Sequence, residues 1–220
     1  MKLSKRILSL FCLLLATVLL ASCGVTIHEG IGEGDAMDKS SSTVWYHAST
    51  CYEAVALEKK QGKLVVGNHD LELYKLPDMD PDKWLATEDE NVLYAEGVKL
   101  PTLPEMAPEQ MIIYLDSATE QQLKTLEDTA VLASLIEAYT TNESIIYPAK
   151  TPFATYRIRF ASETYPGLYY VLTYVEYSSD YVVNDVNYGK YFFYDRFDQK
   201  FVPVGDEIHK ALGLGESTTE

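Results

Sequence analysis

The chain has 220 residues, 33 Asp and Glu against 18 Lys and Arg, and a formal charge of −15. Such a balance repels nucleic acid and anionic lipid headgroups, so neither is expected as a partner. Three cysteines and four scattered histidines (His28, His47, His69, His209) leave little material for a disulfide framework or a histidine-rich metal site.

The first residues carry Lys2, Lys5 and Arg6, and no acidic residue precedes Glu29. The apolar run from Ile7 to Leu20 follows, shorter than the roughly 20 residues that cross a bilayer. A basic start, a short apolar stretch and small residues at its end describe a signal peptide. Its end, Leu20-Ala21-Ser22-Cys23, resembles the lipobox of bacterial prolipoproteins. The resemblance implies diacylglycerol on the Cys23 sulfur, cleavage of residues 1–22, and anchorage at the extracytoplasmic face of the cell membrane. Cleavage removes three cations, which deepens the negative charge, and takes Cys12 away. With Cys23 lipidated, Cys51 has no cysteine to pair with. It reads as a small buried hydrophobe rather than a nucleophile served by His47 or His69.

Residues 23–43 are rich in Gly, Ser and acidic side chains and are expected to be a flexible tether, with a root-mean-square reach of roughly 25 Å. Residues 44–100 read as a β-rich lobe. Within it, Glu53–Leu57 and Lys63–Val66 flank a Gly-containing turn suited to a hairpin, and Asp80-Pro81-Asp82 is expected to open a short helix through Trp84 and Leu85. Asn91 to Val98 reads as extended. Residues 101–108 hold three prolines and mark a connector.

Residues 109–214 form the expected second lobe, with 215–220 as a polar tail. Met111 to Leu115 is a strand. Ser117 to Glu120 has the capping-box pattern, with Leu123 and Leu126 one helical turn apart, and Asp128 caps a second helix bearing Leu132, Leu135, Ile136 and Tyr139. Tyr156, Ile158 and Phe160 alternate with Arg157 and Arg159, as in a strand with one wet face. Leu168 to Tyr177 is apolar on both parities and therefore central. Tyr191–Tyr194 and Phe201–Val204 form a hairpin, and Asp206 to Leu212 a closing helix. The fold class is thus α+β: mainly antiparallel sheet, a helical pair near the middle and a short C-terminal helix. The layout of the globular part resembles small lipoproteins of low-GC Gram-positive bacteria, a resemblance of pattern that transfers no residue function.

Three constellations invite a chemical reading. Gly67-Asn68-His69-Asp70 and Gly34-Asp35-Ala36-Met37-Asp38 resemble two blocks of calcineurin-like metallophosphoesterases. A two-metal site needs more ligands than these, and neither an upstream Asp-x-His nor a downstream Gly-His-x-His exists. Gly67-Asn68 is expected to be a turn between strands. Asp78, Asp80 and Asp82 alternate as in a calcium loop, but Lys83 stands where an EF-hand needs Gly. These aspartates and His69 are the only metal candidates, and no cofactor is expected. Asp180, Asn184, Asp185 and Asn187 suit a loop. Of 17 tyrosines, 11 fall between positions 147 and 194. Tyr165, Tyr177, Tyr181 and Tyr188 lie nearest the expected loops and are the candidate aromatic binding face for a protein or a cell-wall glycan. With no catalytic set, the reading is a membrane-anchored, non-enzymatic binding module. The alternative is an extracytoplasmic hydrolase, metal-dependent or acting on cell-wall material.

Overall fold

The computed structural model describes residues 25–29, 35–38, 43–66, 69–117 and 119–214. The fold is α+β and mostly antiparallel sheet, in two assemblies that share a core.

The first assembly is a closed barrel. Its strands are β1 (Val25–Glu29), β2 (Asp35–Asp38), β3 (Val44–His47), β5 (Lys60–Val66), β6 (His69–Lys75), β7 (Trp84–Thr87) and β8 (Val92–Ala95), in the order β1-β2-β3-β8-β7-β6-β5. Antiparallel pairing runs around the ring until β1 closes it in parallel with β5, Val25 opposite Gly62 and His28 opposite Val65. Closure leaves the ring without an edge to aggregate. Alternation explains the filling. Leu85, Leu93 and Ala95 point inward with Trp45, Leu64 and Leu73, whereas Trp84, Ala86 and Val92 point to the other assembly. β7 and β8 are therefore buried on both faces.

That second burial corrects the helix expected at Asp80. The Asp80 carboxylate accepts the Asp82 N–H at 3.0 Å, and the Lys83 and Trp84 N–H groups both reach the Asp80 carbonyl, but the chain makes only one turn. Pairing of β7 with both β6 and β8 wins over local helix signals. The expected hairpin is also displaced. Lys63–Val66 pairs with β6, Val66 opposite His69, rather than with Glu53–Leu57; Gly67 and Asn68, the expected turn, lie outside the described residues. Two strands, β1 and β2, fall inside the stretch expected as tether, where Val25 and Ile27 alternate with polar neighbours. Cys23 itself lies outside the described residues.

The second assembly is a seven-stranded antiparallel sheet, six strands in one row and a seventh paired beside them. The row comprises β9 (Gln110–Leu115), β10 (Gln122–Leu126), β11 (Ala154–Ala161), β12 (Leu168–Glu176), β15 (Tyr191–Asp195) and β16 (Lys200–Pro203), in the order β10-β9-β11-β12-β15-β16. A small strand, β4 (Tyr52–Ala54), leaves the first half of the chain to pair with β12. Two-residue strands β13 (Val182–Val183) and β14 (Val186–Asn187) make a separate hairpin, as the Asx-rich loop suggested. Its turn residues Asn184 and Asp185 both take positive φ, 50° and 64°, which Asn and Asp tolerate best after Gly.

The helices are α1 (Leu103–Met106), α2 (Thr129–Thr141) and α3 (Glu207–Ala211). α1 falls in the Pro-rich connector and is possible there because Pro104 occupies the first turn, where no intrahelical N–H is needed. Its capping box joins Thr102 and Glu105. α2 is capped by Asp128, whose Oδ1 accepts from the Ala130 and Val131 N–H groups. The other member of the expected pair is a strand instead. Leu123 and Leu126 lie in β10, hydrogen-bonded to β9, and Leu123 is 39% exposed. Ser117 to Glu120 closes a hairpin turn, with the Glu120 N–H on the Ser117 carbonyl.

One face of this sheet, with Met111, Ile113, Tyr156, Ile158, Phe160, Tyr170, Leu172, Tyr174, Phe193 and Val202, packs under α1, α2, α3 and the outward side of β7 and β8. The opposite face carries the candidate site.

Candidate functional site

The site begins with an irregularity in β12. Its edge is shared by two short strands that approach from opposite ends: β4 covers Leu168–Tyr170, and β15 covers Thr173–Glu176. Each leaves β12 by a turn. The Tyr52 N–H bonds the Ser49 carbonyl at 3.0 Å and takes the preceding chain off the edge. Beyond β15, Asp195 Oδ1 accepts the Phe197 and Asp198 N–H groups at 2.9 and 3.1 Å. The two turns are joined where they meet, because the Cys51 thiol donates to Asp195 Oδ1 at 2.9 Å and the Tyr139 hydroxyl donates to Oδ2 at 2.8 Å. Burial, and then the hydrogen bond to the Asp195 carboxylate, push the Cys51 thiol up to about 12. It is a proton donor in a structural junction and a poor nucleophile.

Above this junction, on the face away from the helices, lies a crevice of about 440 Å³. Val171 to Thr173 line it from β12, with Thr50 to Glu53, Asn91, Asp116, Arg157, Tyr194 and Arg196 around them. Alternation places Arg157 and Arg159 of β11 on this face. Arg159 lies over the rings of Tyr114 and Tyr169, at 4.8 and 5.5 Å, and its Nε donates to Glu53 Oε2 at 2.8 Å. Arg157 joins Glu53 and donates to Glu120 at 2.7 Å, and Arg159 reaches Glu120 at 3.2 Å. Arg196 bonds Asp116 at 3.3 Å and stays 61% exposed. Desolvation, followed by the neighbouring Arg159 and Arg196 charges, lowers the Arg157 pKa, so the three guanidiniums sense one another.

The chain has only four arginines, and every one beyond Arg6 is here. That scarcity was a readable signal, overlooked because Arg157 and Arg159 looked like the ordinary wet side of a strand. Glu53, Glu120, Asp116 and Arg196 carry no local pattern that ties them to β11.

The sequence candidates fare differently. Tyr177 is 1% exposed and offers no face. Tyr181 and Tyr188, half-buried, pack over it with Phe192 and Phe201, whereas Tyr165 packs against the core on the helix side of the sheet. The four tyrosines therefore do not form one surface, because good strand residues are consumed as core. Asp80 is engaged by Asp82 and Lys83, and Asp78 adopts a left-handed backbone (φ 50°). Among the described residues no three His, Cys, Asp or Glu side chains gather as a metal group. Gly34, like Gly67 and Asn68, lies outside the described residues, and Asp35–Asp38 forms β2. Cys51 bonds Asp195, not a histidine; His209 lies against Glu176, Nδ1 at 3.0 Å from Oε1. No described helix is long and apolar enough to cross a membrane.

Comparisons with protein-family models, curated proteins and solved structures return no match. What the fold defines is an α+β protein in which a β-barrel and an antiparallel sheet share one core, with an arginine-walled crevice on the sheet's open face.

Proposed function

We propose that the chain is a lipoprotein, held at the extracytoplasmic face of the cell membrane by lipid on Cys23, whose folded part is a non-enzymatic binding module. The crevice between the ends of β4 and β15 is its ligand site. The observation that supports this reading is that Arg157 and Arg196, with Arg159 beside them, line a crevice of about 440 Å³, within the range of small-ligand sites. The neighbouring Cys51 is held as a thiol and bonded to Asp195, so the residues at hand suit recognition better than covalent catalysis.

Two experiments test the two parts. Labelled palmitate enters the wild-type chain and not C23A; label in the variant refutes the anchor. A photo-crosslinking amino acid at Asn91, in living cells, captures a species that R196Q fails to capture. Capture indifferent to R196Q refutes the crevice as the binding site.

A further inference from the structure

We propose that the crevice receives a ligand bearing a single carboxylate group, held by the guanidiniums of Arg157 and Arg196; this rests on the binding reading above. In a chain of −15, each arginine beyond the N-terminal segment is placed on one patch of one sheet face. A planar guanidinium fork matches a carboxylate with two parallel hydrogen bonds, which the flexible ammonium of Lys does not.

The bracing of the arginines is unequal, and the inequality points to the ligand. Arg159 is buried and fixed by Glu53, Glu120 and two tyrosine rings. Arg157 is partly held, by Glu53 and Glu120, with its side chain 35% exposed. Arg196 is the most open, meeting Asp116 through one nitrogen at 3.3 Å, longer than a strong charge-assisted bond. The carboxylate that Arg196 meets is the weakest-held acidic partner on the patch, and a ligand carboxylate takes its place. Crowding by Arg159 and Arg196 makes the charge on Arg157 costlier to hold, and an added anion relieves that cost.

Size and charge restrict the ligand further. Glu53 and Asp116 also line the crevice, and the chain carries a formal charge of −15, so a polyanion is repelled where one negative charge is not. Thr50, Asn91 and Tyr194 supply neutral hydrogen-bonding groups on the walls, and Val171 an apolar base. This suits a small carboxylate with an amide-bearing body, such as the end of a peptide.

The test uses the scarcity of arginine. The chain from Cys23 onward, labelled with ¹⁵N-arginine and held in detergent, gives three Nε–H signals, of Arg157, Arg159 and Arg196, assigned by single substitution. N-acetyl-alanyl-alanine is titrated against its C-terminal amide, which differs only in lacking the charge, and against inorganic phosphate. The expected result is saturable movement of the Arg157 and Arg196 signals with the acid and less movement of Arg159. The amide should bind at least about tenfold more weakly, as should the acid to R196Q, because a charge-assisted pair is lost. R196Q should leave the Arg159 signal in place, showing an intact fold. Equal binding of acid and amide, stronger binding of phosphate, or no response to the acid each overturn the carboxylate assignment. The crosslinking at Asn91 does not depend on ligand charge. Capture there without any preference for the acid sinks this inference alone; loss of both sinks the site.

Discussion

Glu53 and Arg159 meet across the top of β12, Nε to Oε2 at 2.8 Å, although 106 positions separate them in sequence. The guanidinium passes over Tyr169 to get there, so one ion pair ties β4 to β11 over the strand between them.

The two partners are not equivalent. Glu53 also holds Arg157, so E53A leaves two poorly solvated guanidiniums short of a partner, whereas R159M leaves Glu53 still paired with Arg157. Breaking a buried pair from one side costs about 3–5 kcal/mol, and replacing both partners by apolar groups costs much less. E53A should therefore lose about 3 kcal/mol, R159M less, and E53M/R159M less than the sum of its single substitutions. Denaturant midpoints at constant slope check this order; a smaller loss for E53A than for R159M contradicts it.

Asp195 should be the most sensitive polar residue of the sheet. It is 1% exposed and accepts from Cys51, Tyr139 and the Phe197 and Asp198 amides. D195A removes the shared acceptor of four donors, of which Cys51 and Tyr139 are buried, and each unmet buried group costs about 1–3 kcal/mol, so a loss of about 3 kcal/mol is expected. D195N, which keeps an acceptor oxygen, should lose less, and C51A or Y139F about 1 kcal/mol each. Thermal unfolding of the four variants reads the order directly. D195A behaving like C51A would show that the junction does not depend on the carboxylate.

Alkaline pH should unfold the protein through the same groups. Burial raises Cys51 from 9.0 to about 12 and raises Tyr52, Tyr139, Tyr170, Tyr174 and Tyr177 above their usual 10.0. Between the unfolded and folded values the native chain keeps protons that the unfolded chain has lost. Stability is then full below pH 9 and falls as pH rises from 9 to 12. Denaturant midpoints should follow that course, and phenolate absorbance should show a late, cooperative group of tyrosines. At pH 8 the Cys51 thiol, in a C12A/C23A chain, should react on the order of a thousandfold more slowly when native than when unfolded, from its smaller thiolate fraction. Gradual ionisation of every tyrosine without unfolding would contradict the first part, and fast native labelling the second.

Much of the second sheet was legible because its strands carry their own period. Tyr156, Ile158 and Phe160 alternate, Leu168 to Tyr177 is apolar on both faces, and Asp128 announces α2. The failures share a cause. Leu123 and Leu126 satisfy a helical spacing, and Asp80-Pro81-Asp82 a helix start, yet strand partners distant in sequence decide both. Local propensity is a weak prior against such pairing. The same holds for the site. Its parts come from β4, β11, the β9–β10 turn and the residues after β15, and only the scarcity of arginine connected any of them. The tyrosine run is visible in the sequence, but composition does not distinguish a ring that faces a partner from one that faces Phe192.

Gly167 lies just before β12, and a Cβ placed there would sit 2.6 Å from Met79 Sδ and 2.8 Å from Leu76 Cβ, both in the β6–β7 connection of the barrel. Met79 is flexible enough to yield, but Leu76 Cβ is fixed by its backbone. G167A should therefore cost about 1–3 kcal/mol, the usual range for overpacking, and adding M79A should recover only part of it. Both tryptophans, Trp45 and Trp84, lie in barrel strands, whereas only Tyr46, Tyr74 and Tyr94 of the 17 tyrosines do. Because Trp84, Ala86 and Val92 share one core with Leu135, Ile158 and Phe193, the tryptophan fluorescence and the tyrosine circular dichroism of G167A should shift together to lower denaturant. A fluorescence transition that moves while the tyrosine signal stays would mean that the barrel and the sheet unfold as separate units.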